Sequence, residues 1–386
     1  MDPVGLPPLH VGVVSPEFPP AKGGVQIYAW EFVAELARRG HTVTVFARED
    51  ASDVAAPVGV RIEPVLKLRR RLDCRITRTP GIDVWHAMNA AYAWLALEVP
   101  RVFVSVHGND FLHPYFPVAR LDLRPRLRLP FGSRADERIG DWLTSRVVRR
   151  ALPKAAQIFA NSRYTEQRFL RAHPRCAGLT SAAMVGVSER YFSKTRPARA
   201  AGPPRLITVC RLAEPHKNVD LVLHALAQLR PSFDFRYTIV GDGYLRPGLE
   251  QLTRELGLTD RVEFTGFIEP APLHAALLSH DLFVLTTSET PIAYEGFGIV
   301  YLEAAASGCP ALAARIAGAA EAVADRISGM FVAQVSVESI ADKLRSFLAG
   351  EVRFSSADCT AFARRFSWSS VIDHCLPHYR ASIGLP

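Results

Sequence analysis

Short apolar runs alternate with longer amphipathic stretches along most of this chain. The runs at 10–14, 41–46, 82–86, 102–106 and 157–162 have the length and composition of buried parallel strands. Between the first two, residues 25–39 carry Tyr28, Phe32, Val33 and Leu36 at helical spacing and stop at Gly40. Ser162 is placed to cap a helix over 164–171. The pattern pauses at 196–204, Arg-Pro-Ala-Arg-Ala-Ala-Gly-Pro-Pro, which reads as an interdomain linker. It then restarts, with strands at 206–210, 237–240, 262–265, 281–286 and 309–313 and helices at 219–229, 247–256 and 273–278. Trp368, Val371, Ile372 and Leu376 mark 367–386 as a packed helix and not a tail. The expectation is an α/β protein with two Rossmann-like, doubly wound domains, 1–195 and 205–366, that share an architecture without a sequence repeat.

Composition narrows the class. A chain of 386 residues exceeds one comfortable core, and 48% hydrophobic with 22% charged residues is ordinary for a soluble globular protein. No apolar run approaches the ~20 residues that span a bilayer; the best, 90–106, is broken by Glu98, Pro100 and Arg101. The first residues lack the charged and apolar regions of a signal peptide. Six cysteines are scattered without a Cys-x-x-Cys pair, which suits reduced thiols and a cytoplasmic location.

Charge changes the picture. Residues 1–200 hold 30 Lys and Arg against 18 Asp and Glu, whereas 201–386 hold 16 against 20. The surplus gathers in Lys67-Leu-Arg-Arg-Arg-Leu-Asp-Cys-Arg75 and along 120–154, where Leu129, Phe131, Ile139, Trp142, Leu143 and Val147 lie among the arginines. A one-sided basic field predicts an anionic partner: a membrane surface met peripherally, a phosphorylated acceptor, or nucleic acid. A merely solvated basic face accounts for it equally well. Nucleic acid ranks last, because no recognised nucleic-acid module is present.

The candidate chemistry sits where strands end. Residues 289–303, Glu-Thr-Pro-Ile-Ala-Tyr-Glu-Gly-Phe-Gly-Ile-Val-Tyr-Leu-Glu, follow one apolar strand and feed a helix that stops at Gly308. Glu295 and Glu303 can face one pocket there, with Gly296 and Gly298 admitting a ligand close to the backbone. Gly23-Gly24 offers amides at another helix start, or simply a tight turn. His107-Gly-Asn-Asp110 is delivered to a strand end, where a histidine can donate to a sugar hydroxyl or to a developing charge. Arg211 and Lys217 share one loop after a strand, a bidentate guanidinium and a mobile ammonium suited to a diphosphate. The chain has no Asp-x-Asp, no Walker loop, no dinucleotide fingerprint and no Ser-His-Asp order, so neither a metal site nor hydrolysis is indicated.

Taken together these stretches resemble retaining GT-B glycosyltransferases of the family-4 type, over nearly the whole chain. The likeness is carried by Lys22-Gly-Gly-Val-Gln26 with Gly40-His41, Val106-His-Gly108, Arg211 through Lys217, Gly241-Asp-Gly243, and Glu295 through Glu303 with its Glu-x7-Glu spacing. The Gly-Gly-Val-Gln opening is similar to phosphatidylinositol mannosyltransferases and other bacterial cell-envelope members.

The resemblance implies two domains facing each other across a cleft, the last helix crossing back onto the first. It also implies no cofactor: a nucleotide-diphosphate hexose, mannose or glucose on GDP or UDP with the opening motif leaning to GDP-mannose, is the co-substrate, and a lipid-linked or cell-envelope saccharide the acceptor. It assigns the diphosphate to Arg211, Lys217 and the Gly23-Gly24 amides, and the ribose to Glu303. The donor sugar falls to Glu295, Gly296, Phe297, Gly298 and Ile299, and the base to the loop of Gly266 and Ile268. His107 would lie beside the transferred sugar, with Gln26 and Asp110 toward the acceptor. Two departures from the family stand out: Asn218 follows Lys217 where glycine is common, and Val185-Gly186 replaces Asn-Gly. A sugar-nucleotide epimerase on the same fold and a non-catalytic basic binder are the competing readings.

Overall fold

The computed structural model describes residues 7–20, 23–112, 116, 118, 134–192, 196–197, 202–291 and 293–385. The chain divides into two compact units, Met1–Gly186 with Trp368–Pro386, and Val187–Ser367.

In chain order the first unit comprises β1 (His10–Val14), α1 (Gly24–Arg38), β2 (Thr42–Arg48), β3 (Val60–Leu66), α2 (Arg70–Asp73), β4 (Val84–Ala87), β5 (Val102–Val106), α3 (Arg134–Ala151), β6 (Gln157–Ala160), α4 (Arg163–Ala172) and β7 (Thr180–Ala182). The seven strands pair in parallel in the order β3-β2-β1-β4-β5-β6-β7. Helical crossovers cover both faces of such a sheet, so its central strands bury every side chain, as β4 and β5 do. The predicted apolar face of α1, with Tyr28, Phe32, Val33 and Leu36, is buried. Ser162 caps α4 by accepting the amide of Thr165 at 2.9 Å.

The second unit begins with β8 (Arg205–Val209), α5 (Val219–Leu229), β9 (Arg236–Val240), α6 (Arg246–Glu255), β10 (Val262–Gly266), α7 (Pro270–Ser279) and β11 (Leu282–Leu285). It continues with α8 (Ile299–Ala306), β12 (Ala311–Ala314), α9 (Ala319–Ala322), β13 (Gly329–Val332), α10 (Val337–Leu348) and α11 (Ser356–Ala363). Its parallel sheet runs β10-β9-β8-β11-β12-β13. Both units are therefore Rossmann-like, and in each the strand order reverses beside the first strand: between β1 and β4, and between β8 and β11. Open α/β sheets bind ligands at the carboxyl edge of that reversal.

Three strands escape the sequence pattern. β3, Val-Arg-Ile-Glu-Pro-Val-Leu, is an edge strand with a proline and half-exposed positions; β7 and β13 are only three and four residues long. The division between units also falls earlier than the expected 195. Val187 bridges to Ser367 and its amide donates to the Phe366 carbonyl at 3.1 Å, which ties it to the second unit. Arg196 is tied there too, donating to the Leu277 carbonyl at 3.1 Å. Residues 198–201 of the expected linker lie outside the described residues. Among the described residues no helix is long and apolar enough to cross a membrane.

The last helix, α12 (Trp368–Ser382), packs in the first unit. Arg39, at the end of α1, donates to Asp373 at 2.6 Å and to the Ser369 carbonyl at 2.7 Å. Deeper in, the Tyr379 hydroxyl is hydrogen-bonded to Nδ1 of His86, whose Nε2 meets the Ser105 hydroxyl at 2.8 Å. Burial, and secondarily the neighbouring His107 imidazole competing for a proton, hold His86 neutral with a pKa near 3. The buried contact should matter more than the exposed one. Tyr379→Phe leaves an imidazole nitrogen unpaired in the core, at a cost of about 1–3 kcal/mol. At roughly 2–4 °C per kcal/mol for a unit of this size, the first unit's melting transition should drop by several degrees. Asp373 is 62% exposed in its ion pair, so Asp373→Ala should cost less than about 1 kcal/mol. Differential scanning calorimetry of the full chain compares the two directly.

Candidate functional site

In the second unit the loop after β8 carries Arg211 and ends in a short 3-10 turn, Pro215–Lys217. The loop after β11 carries Glu295 and feeds α8. Parallel pairing of β8 with β11 brings the loops together: Lys217 Nζ donates to Glu295 Oε2 at 2.7 Å and lies 3.5 Å from Glu214 Oε2. Both side chains of the central pair are nearly sequestered, at 12% and 13% exposure. Burial alone would push the ammonium toward its neutral form, but the charges of Glu295 and Glu214 outweigh it and hold Lys217 above its ordinary pKa. Arg211 differs. It is 66% exposed and reaches Glu214 at 2.5 Å.

The backbone explains how these loops hold their shape. Asn218, the residue where the family commonly has glycine, adopts the left-handed conformation at φ 54°, and its side chain donates to the Thr286 carbonyl at 2.6 Å. Asparagine is among the few side chains that accept this region readily, so the loop keeps its turn and gains a tie to β11. Gly241-Asp-Gly243 lies directly beneath the Arg211 loop. A Cβ at Gly241 would stand 1.8 Å from the Cys210 carbonyl oxygen, and one at Gly243 2.3 Å from the Leu212 carbonyl carbon. The Leu212 amide in turn donates to the Asp242 carbonyl at 2.9 Å.

Glu295 through Ile299 is shaped from below. Gly298 takes φ 88° at the start of α8, directly over the Tyr301 ring. Gly318, just before α9, donates its amide to the Glu295 carbonyl at 3.0 Å, and a Cβ there would meet the Gly296 carbonyl oxygen at 2.2 Å. Tyr301 hydrogen-bonds the Leu285 carbonyl at 2.6 Å, pinning α8 to β11. Phe297 is buried against Phe366, and Ile299 opens the helix, half-buried. Glu303 sits on its second turn, 2% exposed. Gly266 ends β10 at φ 70° and accepts the Gly241 amide at 2.9 Å, while Ile268 follows, half-buried. Ile292 lies outside the described residues.

The first unit presents its own group at the carboxyl edge. Gly23 precedes α1, whose first turn is capped by no side chain. A side chain at Gly23 would meet Gln26 Oε1 at 2.6 Å. Gln26 is buried, with Nε2 3.5 Å from a Glu17 oxygen, and Asn89 donates to the other Glu17 oxygen at 3.0 Å. Lys22 and residues 119–133 of the basic stretch lie outside the described residues.

His107 stands edge-on to Tyr28 at 4.4 Å. Burial drives its pKa to about 3, against a hydrogen bond to the Met88 backbone. Its Nε2 is buried and has no partner among the described residues. A neutral ring that donates to a carbonyl through Nδ1 keeps a lone pair on Nε2. It is therefore set to accept a hydroxyl proton, where the sequence suggested a donor. Asp110 is also corrected. Expected to meet an acceptor, it is 1% exposed, and its two oxygens accept the amides of Ala90 at 2.9 Å and His107 at 2.8 Å. Burial raises its pKa to about 7, with those amides pulling the other way. Asp110 positions the His107 loop.

Several supporting residues are not singled out as site residues by the sequence: Glu214, Tyr301 and Gly318 in the second unit, Glu17, Asn89 and Tyr28 in the first. Gly318 alone had a cue, as a glycine shortly after a strand on the same sheet edge. Among the described residues no cluster of three or more His, Cys, Asp or Glu is arranged to hold a metal ion.

The family described as Glycosyl transferases group 1 matches residues 192–366, and Glycosyltransferase Family 4 matches 22–177. Over 364 residues, 88% of this chain and 89% of its own, the GDP-mannose-dependent alpha-(1-6)-phosphatidylinositol monomannoside mannosyltransferase of Mycobacterium tuberculosis is 31% identical. A D-inositol 3-phosphate glycosyltransferase of Saccharomonospora viridis is 27% identical over 94% of this chain and 90% of its own. Among solved structures, sucrose-phosphate synthase of Thermosynechococcus elongatus superposes with a TM-score of 0.75 at 19% identity, covering 97% of this chain and 99% of that one. With two parallel-sheet Rossmann-like units and a relative this similar along most of its length, the chain belongs to the GT-B glycosyltransferases of the family-4 type.

Proposed function

We propose that the protein transfers mannose from GDP-mannose, with retention of anomeric configuration, to a lipid-linked or cell-envelope saccharide at the inner face of the cytoplasmic membrane. The observation that carries this reading is the sequestered Lys217 between two carboxylates at the strand-order reversal of the second sheet. Support for the donor comes from the mycobacterial relative, which is GDP-mannose-dependent by name.

The chemistry follows from charge. A donor diphosphate competes with Glu295 for Lys217, and Arg211, exposed and mobile, closes on it as a fork. Glu295, released from the ammonium, accepts hydroxyls of the sugar, and Glu303 those of the ribose. As the anomeric carbon–oxygen bond breaks, negative charge grows on the leaving phosphate beside cations that are already in place, and no metal ion is called on. The acceptor oxygen bonds to the same face of the anomeric carbon, and its proton passes to the leaving phosphate. His107 accepts a hydroxyl of the transferred sugar through Nε2.

A thermal-shift panel of GDP, UDP, ADP and their hexose conjugates tests the donor. A nucleotide at about 100 times its Kd adds about 2.7 kcal/mol to the native state. GDP and GDP-mannose should raise the melting temperature, and Glu303→Ala should abolish the rise. A shift with UDP alone would replace the donor, and turnover of donor without any acceptor would favour an epimerase.

Lys217→Ala should lower kcat by about 10²–10³, the usual loss when a preorganised charge at the leaving group is removed. Arg211→Ala should cost less, given its exposure; the reverse ranking in steady-state assays would reassign the main cation.

The pH profile of transfer should show no ionisation of His107 near the ordinary histidine value, because that ring stays neutral down to about pH 3, and any limb near 7 from Asp110 should persist in His107→Asn. A limb near 6.5 that disappears in His107→Asn would refute that assignment.

A further inference from the structure

The open Nε2 of His107 can take a hydroxyl only if its ring is held at the right tilt. One hydrogen bond, to the Met88 backbone, fixes the ring at a single point and leaves that tilt to packing. The packing comes from Tyr28 on α1, which meets the imidazole at 4.4 Å with 68° between the ring planes. Tyr28 is 3% exposed and is met in turn by Trp368, the first residue of α12, at 5.1 Å and 78°.

We infer that Trp368 is a positioning residue for His107, acting through the ring of Tyr28. The role rests on the transfer proposed above, in which His107 receives a hydroxyl of the sugar. Trp368 is 6% exposed, and its Nε1 has no hydrogen-bond partner among the described residues. A buried indole ordinarily finds one, so what this side chain supplies is its ring and not its donor.

The surrounding contacts close into a circuit within the first unit. The Tyr28 hydroxyl is hydrogen-bonded to Ser105 on β5, and the Ser105 hydroxyl meets His86 Nε2 at 2.8 Å. His86 Nδ1 is bonded to the Tyr379 hydroxyl, which returns the circuit to α12. From Trp368 to Tyr379 is eleven residues, close to three helical turns, so both lie on one face of that helix. α12 therefore grips Tyr28 at one end directly and at the other through two side chains. The titratable groups around the His107 ring are His86 on β4 and Tyr28 on α1, with Cys375 of α12 beside Tyr28 and Asp110 on the loop of His107 itself.

Histidine NMR of the full chain tests the placement without turnover, the His107 signal among twelve histidines being identified by its loss in His107→Asn. In the wild type that signal should stay still from about pH 8 to about pH 5, where a histidine ordinarily titrates. Trp368→Ala should move the signal and bring its titration into that range, because loosened packing admits water and burial no longer depresses the ring. Trp368→Phe, which keeps a ring against Tyr28, should hold it near its wild-type place.

With donor and acceptor present, Trp368→Ala should lower kcat by about 10–100-fold, the scale of a reacting group displaced by an ångström. The KM for the donor should change little, and Trp368→Phe should recover most of the loss. Leu376→Ala, a buried change on the same helix outside the circuit, should lower the melting temperature and leave the His107 signal alone. If Trp368→Ala does not fold, Trp368→Leu keeps apolar bulk without a ring and carries the same expectations. A still His107 signal in a folded variant without the ring, or an equal displacement in Leu376→Ala, overturns the inference. A displaced signal in a protein that transfers no sugar would sustain the placement and end the transferase reading.

Discussion

Parallel pairing sends the carboxyl end of every strand to one edge, and the reversal of strand order leaves a crevice there that no crossover fills. Everything functional in the second unit depends on that constraint. β8 and β11 are neighbours in space though 72 residues separate their ends in sequence, from Val209 to Leu282. Their loops arrive side by side, and Lys217 meets Glu295 because the sheet leaves them no other place to go. The pair is poor value as a stabiliser. Taking two charges out of water costs several kcal/mol each, and the attraction between them does little more than offset it. The proposed binding of a diphosphate would account for a pair that stabilises so little.

Around this pair the structure is organised by missing side chains. Gly241, Gly243 and Gly318 each admit another backbone to a distance at which any Cβ would overlap it. Gly298 bends the chain into α8 across the face of Tyr301. The first unit solves the same problem with carboxylates. Asp110 gathers two amides from separate loops and Glu17 gathers two side-chain amides, so side-chain carboxylates shape the His107 edge where glycine contacts shape the Glu295 loop.

Most strands and helices are legible in the sequence because a doubly covered parallel sheet forces continuous apolar runs, and α1 and α5 carry their buried faces at regular intervals. β3 is hidden because an edge strand need only be half apolar, and β7 and β13 because three or four residues carry no period. Loop residues bearing charge at strand ends, such as Arg211, Lys217 and Glu295, can be read from position alone. Their partners cannot. Gly318 and Tyr301 become meaningful only when segments apart in sequence touch, Glu214 only when its own loop folds back on Arg211 and Lys217, and Asp110 looks like a ligand-facing acid until both of its oxygens prove occupied. The direction of the His107 hydrogen bond is equally invisible, since it depends on a backbone carbonyl at Met88.

Asn218 has a consequence for the freedom of the loop that carries Lys217. Glycine at this turn would be free to wander through many conformations in the unfolded chain and in any loosened state of the loop. Asparagine has fewer to give up, and its amide grips the Thr286 carbonyl once the turn has formed. Ordering entropy that a glycine-bearing loop would forfeit at each encounter with its ligand has here been spent at folding, once. The loop that carries Lys217 thus has less freedom to lose, and under the proposed function a donor that matches it would keep more of its interaction energy as affinity.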